Sequence, residues 1–260
     1  MAKQQPHPWV DEIAASLATD IVEGEEQKEL QILSKQAETE RVKLQIREAL
    51  VETQQKVENG AKIISETLPK LVATHPEISL NNIAADFDRV MQFFATLDQH
   101  MDQYIGGLMA GTSIYKICHI SDATMEALYQ GTKYLYENQC YEEASNALSF
   151  LTILDSQNYV FWMLLGNAEF FRKNYQTALV AYAMVALVDP TQFACHLYSS
   201  KCYEETNDLD LAINALDVAL AVLDVIKNDP SQDPRKIKNE ITPTIMRERE
   251  RLLNKQRGRK

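Results

Sequence analysis

Three alanines recur at a fixed interval, at positions 144, 178 and 212. A large residue lies three positions before each alanine, and another lies four positions after it. The preceding residues are Tyr141, Tyr175 and Leu209, and the following ones are Leu148, Tyr182 and Leu216. A recurrence of this length indicates a stack of like units, in which each unit buries its apolar face only against its neighbours.

The interval matches the period of the tetratricopeptide repeat (TPR), a helix–turn–helix unit of about 34 residues. The middle unit has the fullest pattern: Trp162, Leu165, Gly166, Ala178, Tyr182 and Pro190. Small residues are required where the two helices of a unit cross closely, large residues fill the space beside them, and Asp189-Pro190 ends the second helix. The pattern predicts helix pairs at 122–138/141–154, 157–172/175–188 and 191–206/209–224.

We therefore predict an all-α fold of three tandem TPR units with a C-terminal capping helix and a helical N-terminal extension. The units are 125–158, 159–192 and 193–226, in a repeat region at 121–224. Residues 225–260 are expected to form the capping helix, at 233–256, and a basic tail. Residues 77–120 contain an apolar helix that either packs on the repeats or dimerises. Residues 1–76 are dense in helix-forming residues and form either a coiled coil or a partly disordered segment.

Charge is distributed unevenly along the 260 residues, whose formal net charge is −11. Residues 121–224 hold 14 acids and 4 bases, whereas 225–260 hold 5 acids and 11 bases. An acidic body repels nucleic acid, so we expect no nucleic-acid partner. The basic tail is expected to be a solvated helix end; contact of Arg247–Lys260 with nucleic acid or an acidic partner is the alternative.

The longest apolar run, Ala178–Val188, is too short to cross a membrane, which takes about 20 residues. No signal peptide is visible after Met1, and four cysteines in a chain of this length do not make a disulfide scaffold. We therefore expect a cytoplasmic protein without membrane insertion.

No pattern of catalytic or metal-binding residues stands out. The segment GGLMAGT at 106–112 has the glycine spacing of a phosphate loop, but Thr112 stands where the lysine is required. Cys195 and Cys202 lie seven apart on one helix face, a spacing that indicates packing. The five histidines have no partner pattern for acid–base or nucleophilic catalysis. We predict no enzyme activity, no metal site and no cofactor.

The first helices of stacked TPR units line the concave face of the stack, and the phase of each unit defines which residues point into it. Counted from Met125, Tyr159 and Phe193, these groove positions are the fifth, ninth and twelfth of each unit. They are Tyr129, Lys133, Tyr136, Met163, Asn167, Phe170, Leu197, Lys201 and Glu204. Five of the nine are apolar or aromatic, as in a binding surface. The alternative is that another part of this chain, such as the 80–110 helix, fills the groove.

A family resemblance rests on four stretches within residues 105–240. They read MEALYQGTKYLYENQCYEEA (125–144), LSFLTILD (148–155), FWMLLGNAEFFRKNYQTALVAYAMVALVDP (161–190) and CHLYSSKCYEETNDLDLAINALDVAL (195–220). Together with the three-unit length, they resemble the class II translocator chaperones of bacterial type III secretion, the LcrH/SycD/IpgC-like TPR family.

The resemblance implies a cytoplasmic bacterial chaperone that holds an extended segment of each hydrophobic translocator protein in its groove. It would keep these clients soluble and apart before secretion. Tyr129 and Tyr136 match groove aromatics of the family's first repeat, whereas Lys133 stands where the family has a phenylalanine-type residue. Family members dimerise through N-terminal helices, which implies a homodimer.

The chain differs from the family in its N-terminal part, because about 120 residues precede the first repeat. This segment could dimerise, bind a second client or dock on the secretion apparatus. The alternative function is therefore a non-catalytic TPR adaptor or scaffold of a secretion or other assembly, which works through its N-terminal helical segment.

Overall fold

A computed structural model describes residues 55–56, 58–70, 72, 80–95, 107, 111–227, 235 and 237–258. The chain divides into two compact units, Met1–Met125 and Glu126–Lys260. Every regular element among the described residues is helical, which confirms the predicted all-α class. The predictions for residues 1–54, for the end of the apolar helix at 96–106 and for the loop at 228–234 lie outside the described residues.

Ten helices are described, and we number them in chain order. Residues 58–70 form α1. The others are α2 (Leu80–Ala95), α3 (Ile114–Ile117), α4 (Asp122–Glu137), α5 (Tyr141–Leu154), α6 (Tyr159–Phe171), α7 (Tyr175–Val188), α8 (Phe193–Glu205), α9 (Leu209–Ile226) and α10 (Thr242–Arg257), with a π-helical turn at Ile237–Ile241 before α10.

The three predicted helix pairs are present as α4/α5, α6/α7 and α8/α9, and each observed boundary lies within two residues of its predicted position. The first helices of units two and three begin two residues later than predicted. Asn158 caps α6, since its side chain accepts a hydrogen bond from the backbone N–H of Val160 at 3.1 Å. Gln192 is the N-cap residue of α8.

The turn between the two helices of a pair has the same geometry in all three units. Gln139, Lys173 and Asn207, which are spaced one repeat apart, have left-handed backbones with φ of 62°, 65° and 68°. The amide of the next residue bonds back to the carbonyl five residues earlier in each case: Cys140 to Leu135, Asn174 to Glu169 and Asp208 to Tyr203, at 3.0, 2.9 and 2.8 Å. This bond pattern is a Schellman helix ending, so the recurrence in sequence is matched by a recurrence in backbone structure.

The crossing of the two helices is closest in the middle unit. A Cβ atom added to Gly166 would lie within 3 Å of three atoms of the Tyr182 ring. The equivalent residues of the other units, Thr132 and Ser200, are buried, and the Ser200 hydroxyl donates to the carbonyl of Ala212 at 2.8 Å. The recurrent alanines Ala144, Ala178 and Ala212 are completely buried. Small residues are thus required at the crossing, as predicted.

The C-terminal helix caps the repeat stack. Ile245 and Leu252 of α10 are buried in one apolar cluster with Leu216 and Leu223 of α9. The predicted helix at 233–256 is present among the described residues: Arg235 is helical, Ile237–Ile241 form the π-helical turn, and α10 continues from Thr242 to Arg257.

In the N-terminal compact unit, Met1–Met125, polar contacts around Asp86 connect α2 with the start of α4. This buried carboxylate accepts hydrogen bonds from the backbone N–H of Ser121, at 3.2 Å, and from the hydroxyl of Thr124. Burial opposes ionisation of Asp86, but the bonds from Thr124 and Ser121 outweigh it, so the pKa of the carboxyl is lowered. Arg89 donates to the carbonyls of Cys118 and His119 at 3.2 and 3.1 Å.

Candidate peptide-binding groove

The nine predicted groove positions lie on the first helices of the three units, three each on α4, α6 and α8. Spacings of four and three residues place the members of each triplet on one face of their helix. Lys133 and Lys201 are exposed, and the other seven residues are partly exposed. None of the nine side chains is therefore buried, and all can contact a ligand.

Two of the apolar groove residues belong to a larger group of rings, which we call the aromatic cluster: Tyr136, Tyr141, Phe170, Phe171 and Tyr175. Tyr141 stacks on Phe171 with ring centroids 4.7 Å apart, and Tyr136 meets both rings edge-on at 5.6 and 6.3 Å. Phe170 contacts Phe171 at 5.9 Å and Tyr175 at 5.6 Å. Phe171 is 52% exposed, so this cluster presents aromatic surface to solvent.

Phe171, Tyr141 and Tyr175 are not among the residues predicted for the site. The repeat pattern identifies Tyr141 and Tyr175 only as the large residues three positions before the recurrent alanines. The signal that could have found them is the concentration of aromatic residues at the helix ends of units one and two, which the third unit lacks.

The ninth position of every unit carries a side chain with N–H donors: Lys133, Asn167 and Lys201. The Asn167 carbonyl oxygen accepts a hydrogen bond from the Tyr182 hydroxyl at 2.9 Å. The Tyr182 ring stacks on Tyr198 at 5.6 Å, and the Lys201 ammonium lies over the Tyr198 ring, 5.5 Å from its centroid. One connected set of side chains therefore holds both Asn167 and Lys201.

The third unit differs from the first two at its twelfth position. Where they have Tyr136 and Phe170, it has Glu204, which accepts hydrogen bonds from Arg251 at 2.9 Å and from Lys255 at 2.6 Å. The bond from Arg251 is the main reason that the pKa of Glu204 is lowered to about 2. Leu197 packs against the apolar cluster of α9 and α10. The capping helix therefore contacts this end of the predicted groove, and the phase of the repeat does not predict that contact.

Burial suppresses the reactivity of three of the four thiols. It raises the pKa of Cys118 and Cys195 to about 11 and that of Cys202 to about 12. Cys195 and Cys202 of α8 pack against Ala178, Tyr182 and Val185 of α7, as their spacing predicts. Among the described residues, no group of histidine, cysteine and carboxylate side chains is arranged to hold a metal ion, and no helix is long and apolar enough to span a membrane.

Comparison with known proteins gives matches among solved structures. No protein-family model matches the sequence, and no curated protein does so either. A type III secretion complex from Aeromonas hydrophila is 18% identical, with a TM-score of 0.53, over 60% of this chain and 97% of that chain. At this identity, the match shows a shared fold.

Two translocator chaperone structures are also similar to this chain. SycD of Yersinia enterocolitica is 23% identical over 53% of this chain and 96% of that chain, with a TM-score of 0.46. PcrH, in complex with the chaperone-binding region of PopD, is 20% identical over 52% of this chain and 96% of that chain, with a TM-score of 0.46.

Proposed function

We propose that this protein is a non-catalytic, cytoplasmic type III secretion chaperone of a bacterium. It binds hydrophobic translocator proteins and keeps them soluble and apart before secretion. An extended segment of each client lies along the groove positions of α4, α6 and α8. The observation that carries this proposal is the partial exposure of five apolar groove residues: Tyr129, Tyr136, Met163, Phe170 and Leu197. Aligned, partly exposed apolar residues among polar ones are typical of a binding surface.

The aromatic cluster supports a peptide ligand. Tyrosine and phenylalanine side chains bury a large area at a small entropic cost, and such rings are enriched at interfaces. The exposed ring of Phe171 extends the surface beyond the groove positions Tyr136 and Phe170. The client class, hydrophobic translocators, follows the sequence resemblance of residues 125–220.

We also propose that the chain forms a homodimer through N-terminal helices and that residues 1–120 contact a second client or the secretion apparatus. These proposals rest on the family resemblance and on the length of chain before the first repeat. They concern residues that precede the groove positions in the sequence, and a deletion of residues 1–110 tests them.

The test is an affinity capture from the lysate of the source bacterium, with captured proteins identified by mass spectrometry. The full-length protein is compared with a Tyr129→Ala/Tyr136→Ala/Phe170→Ala variant. Loss of three contact rings is expected to weaken client binding by about 3 kcal/mol or more, which is over a hundredfold. A hydrophobic secreted protein is expected with the unmodified protein and not with the variant.

Tyr134→Ala is the matched control, because Tyr134 is an exposed ring on α4 outside the groove positions. It is expected to retain the client. If the triple variant captures the same partners as the unmodified protein, the groove is not the working surface. A deletion of residues 1–110 that abolishes those contacts would then identify the N-terminal segment as the binding part and the protein as an adaptor.

A further inference from the structure

The groove contains positive charge in a region that is otherwise strongly acidic. Residues 121–224 hold only four basic residues, namely Lys133, Arg172, Lys173 and Lys201, against 14 acids. Two of the four stand at the same groove position, the ninth, in units one and three. The ninth position of unit two is Asn167, which is also a donor of hydrogen bonds. The three units thus place three donors at equivalent points of the stack.

Among the residues that the structure describes, the contacts of Asn167 leave its donors available. An amide has one acceptor oxygen and two N–H donors, and here the oxygen is bound by the Tyr182 hydroxyl at 2.9 Å. Because this bond fixes which end of the amide faces Tyr182, the NH₂ group points away from that hydroxyl. Tyr182 is almost fully buried, so the amide is held by a rigid partner.

The two lysines are also available to a ligand. Lys201 makes no ion pair with any carboxylate among the residues that the structure describes; its ammonium lies over the ring of Tyr198. Lys133 lies 3.7 Å from Glu137, and both side chains are exposed. Such a surface pair contributes about 0–1 kcal/mol, so a ligand carboxylate can replace Glu137 at little cost.

We infer that Lys133, Asn167 and Lys201 form a donor row which selects client segments that carry acidic side chains among their apolar ones. This inference rests on the proposed function and specifies the chemistry of its ligand. The apolar residues at the fifth position of each unit and at the twelfth position of units one and two flank the donor row, so they receive the apolar side chains of the client. The donor row binds backbone carbonyl groups and the acidic side chains.

The geometry of the stack also gives the spacing of the acidic residues. Packed helices lie about 8–10 Å apart, and an extended chain rises about 3.3 Å per residue. Donors on neighbouring units are therefore matched by about every third residue of the client. A client that engages both lysines carries its acidic residues about six positions apart.

The experiment is a selection of random dodecapeptides, displayed on phage, against the immobilised full-length protein. Parallel selections use Lys201→Gln, Asn167→Asp and a Tyr136→Ala/Phe170→Ala variant. Asn167→Asp retains an oxygen for the Tyr182 hydroxyl but replaces the two donors with a repelling charge. Lys227→Gln is the control, since it removes the same charge from an exposed residue at the end of α9 that pairs with Asp224.

The unmodified protein and the Lys227→Gln control are expected to enrich apolar peptides that contain Asp or Glu, and Lys201→Gln and Asn167→Asp are expected to lose the acidic preference. For the best synthetic peptide, replacing the acidic residue by its amide is expected to weaken binding about tenfold, with less effect at high salt. Enrichment of apolar peptides without acidic residues overturns the donor row and leaves the groove proposal intact. If no enriched peptide depends on Tyr136 and Phe170, the proposed function itself fails.

Discussion

The ring of Tyr182 lies directly against Gly166, where a Cβ atom would approach three ring atoms within 3 Å. The two residues belong to the facing helices α6 and α7 of the middle unit. Tyr182 is buried and its hydroxyl reaches Asn167, so the absence of a side chain at Gly166 allows the ring to orient a groove residue. The core packing of this unit and its candidate ligand contacts therefore depend on the same close approach.

Gly166→Ala is expected to destabilise the middle unit. Overpacking a rigid core costs about 1–3 kcal/mol, and alanine in a helix interior regains about 0.5–1 kcal/mol relative to glycine. The net loss is about 1–2 kcal/mol, to be measured by urea unfolding with tryptophan fluorescence. Tyr182→Leu in the same chain is expected to restore stability, because units one and three have leucine there, Leu148 and Leu216. If Gly166→Ala alone is as stable as the unmodified protein, that result contradicts the close approach of Gly166 and Tyr182.

The repeat fold could be predicted from the sequence because its determinants are local and recur. Each crossing requires a small residue, and each unit has one at the same position: Thr132, Gly166 and Ser200. The left-handed turn also recurs, at Gln139, Lys173 and Asn207, although these three positions do not share a residue type. The repeat period is therefore visible even where single positions vary.

The polar details of the site depend on contacts between distant parts of the chain. The phase of the repeat places Glu204 in the groove, but its partner Arg251 lies 47 residues later in the sequence. Nothing local to Glu204 signals that contact, because Arg251 reaches it only after α10 has packed on α9. The orientation of Asn167 likewise depends on Tyr182, which reaches it across the helix crossing.

Glu204→Gln is expected to weaken the attachment of the capping helix by about 1 kcal/mol at neutral pH, since Arg251 is half exposed and solvent screens the pair. The pKa of Glu204 is about 2 in the folded protein, below its ordinary value of 4.5. Its contribution to stability is therefore complete above about pH 4.5 and declines as the pH falls towards 2. Denaturant unfolding between pH 7 and 2.5 should show the free energies of unfolding of the unmodified protein and of Glu204→Gln converging as the pH falls. The exposed Glu205→Gln is the control, and a pH-independent difference would contradict the expectation.

Glu169 is a buried carboxylate that joins α5 to α6 and to the following turn. It accepts hydrogen bonds from Ser145, from Arg172 at 2.6 Å and from Asn174 at 2.7 Å. Glu169→Ala removes the carboxylate to which Ser145, Arg172 and Asn174 donate. We therefore expect a loss of about 3 kcal/mol in the free energy of unfolding. Thermal and urea unfolding measure this loss. Glu143→Ala, at an exposed position of α5, should change stability by less than about 0.5 kcal/mol, and equal effects of the two variants would be inconsistent with the network.

The four thiols are expected to react with Ellman's reagent at very different rates. Cys118, Cys195 and Cys202 are buried, and burial raises their pKa values to about 11, 11 and 12. Few thiolates are present on them at pH 8, and the reagent cannot reach them without local unfolding. Cys140 is partly exposed, so one fast equivalent is expected, and Cys140→Ser should remove it. All four thiols should react quickly in urea, whereas fast reaction of Cys195 or Cys202 in the native protein would show that the packing between α7 and α8 opens readily.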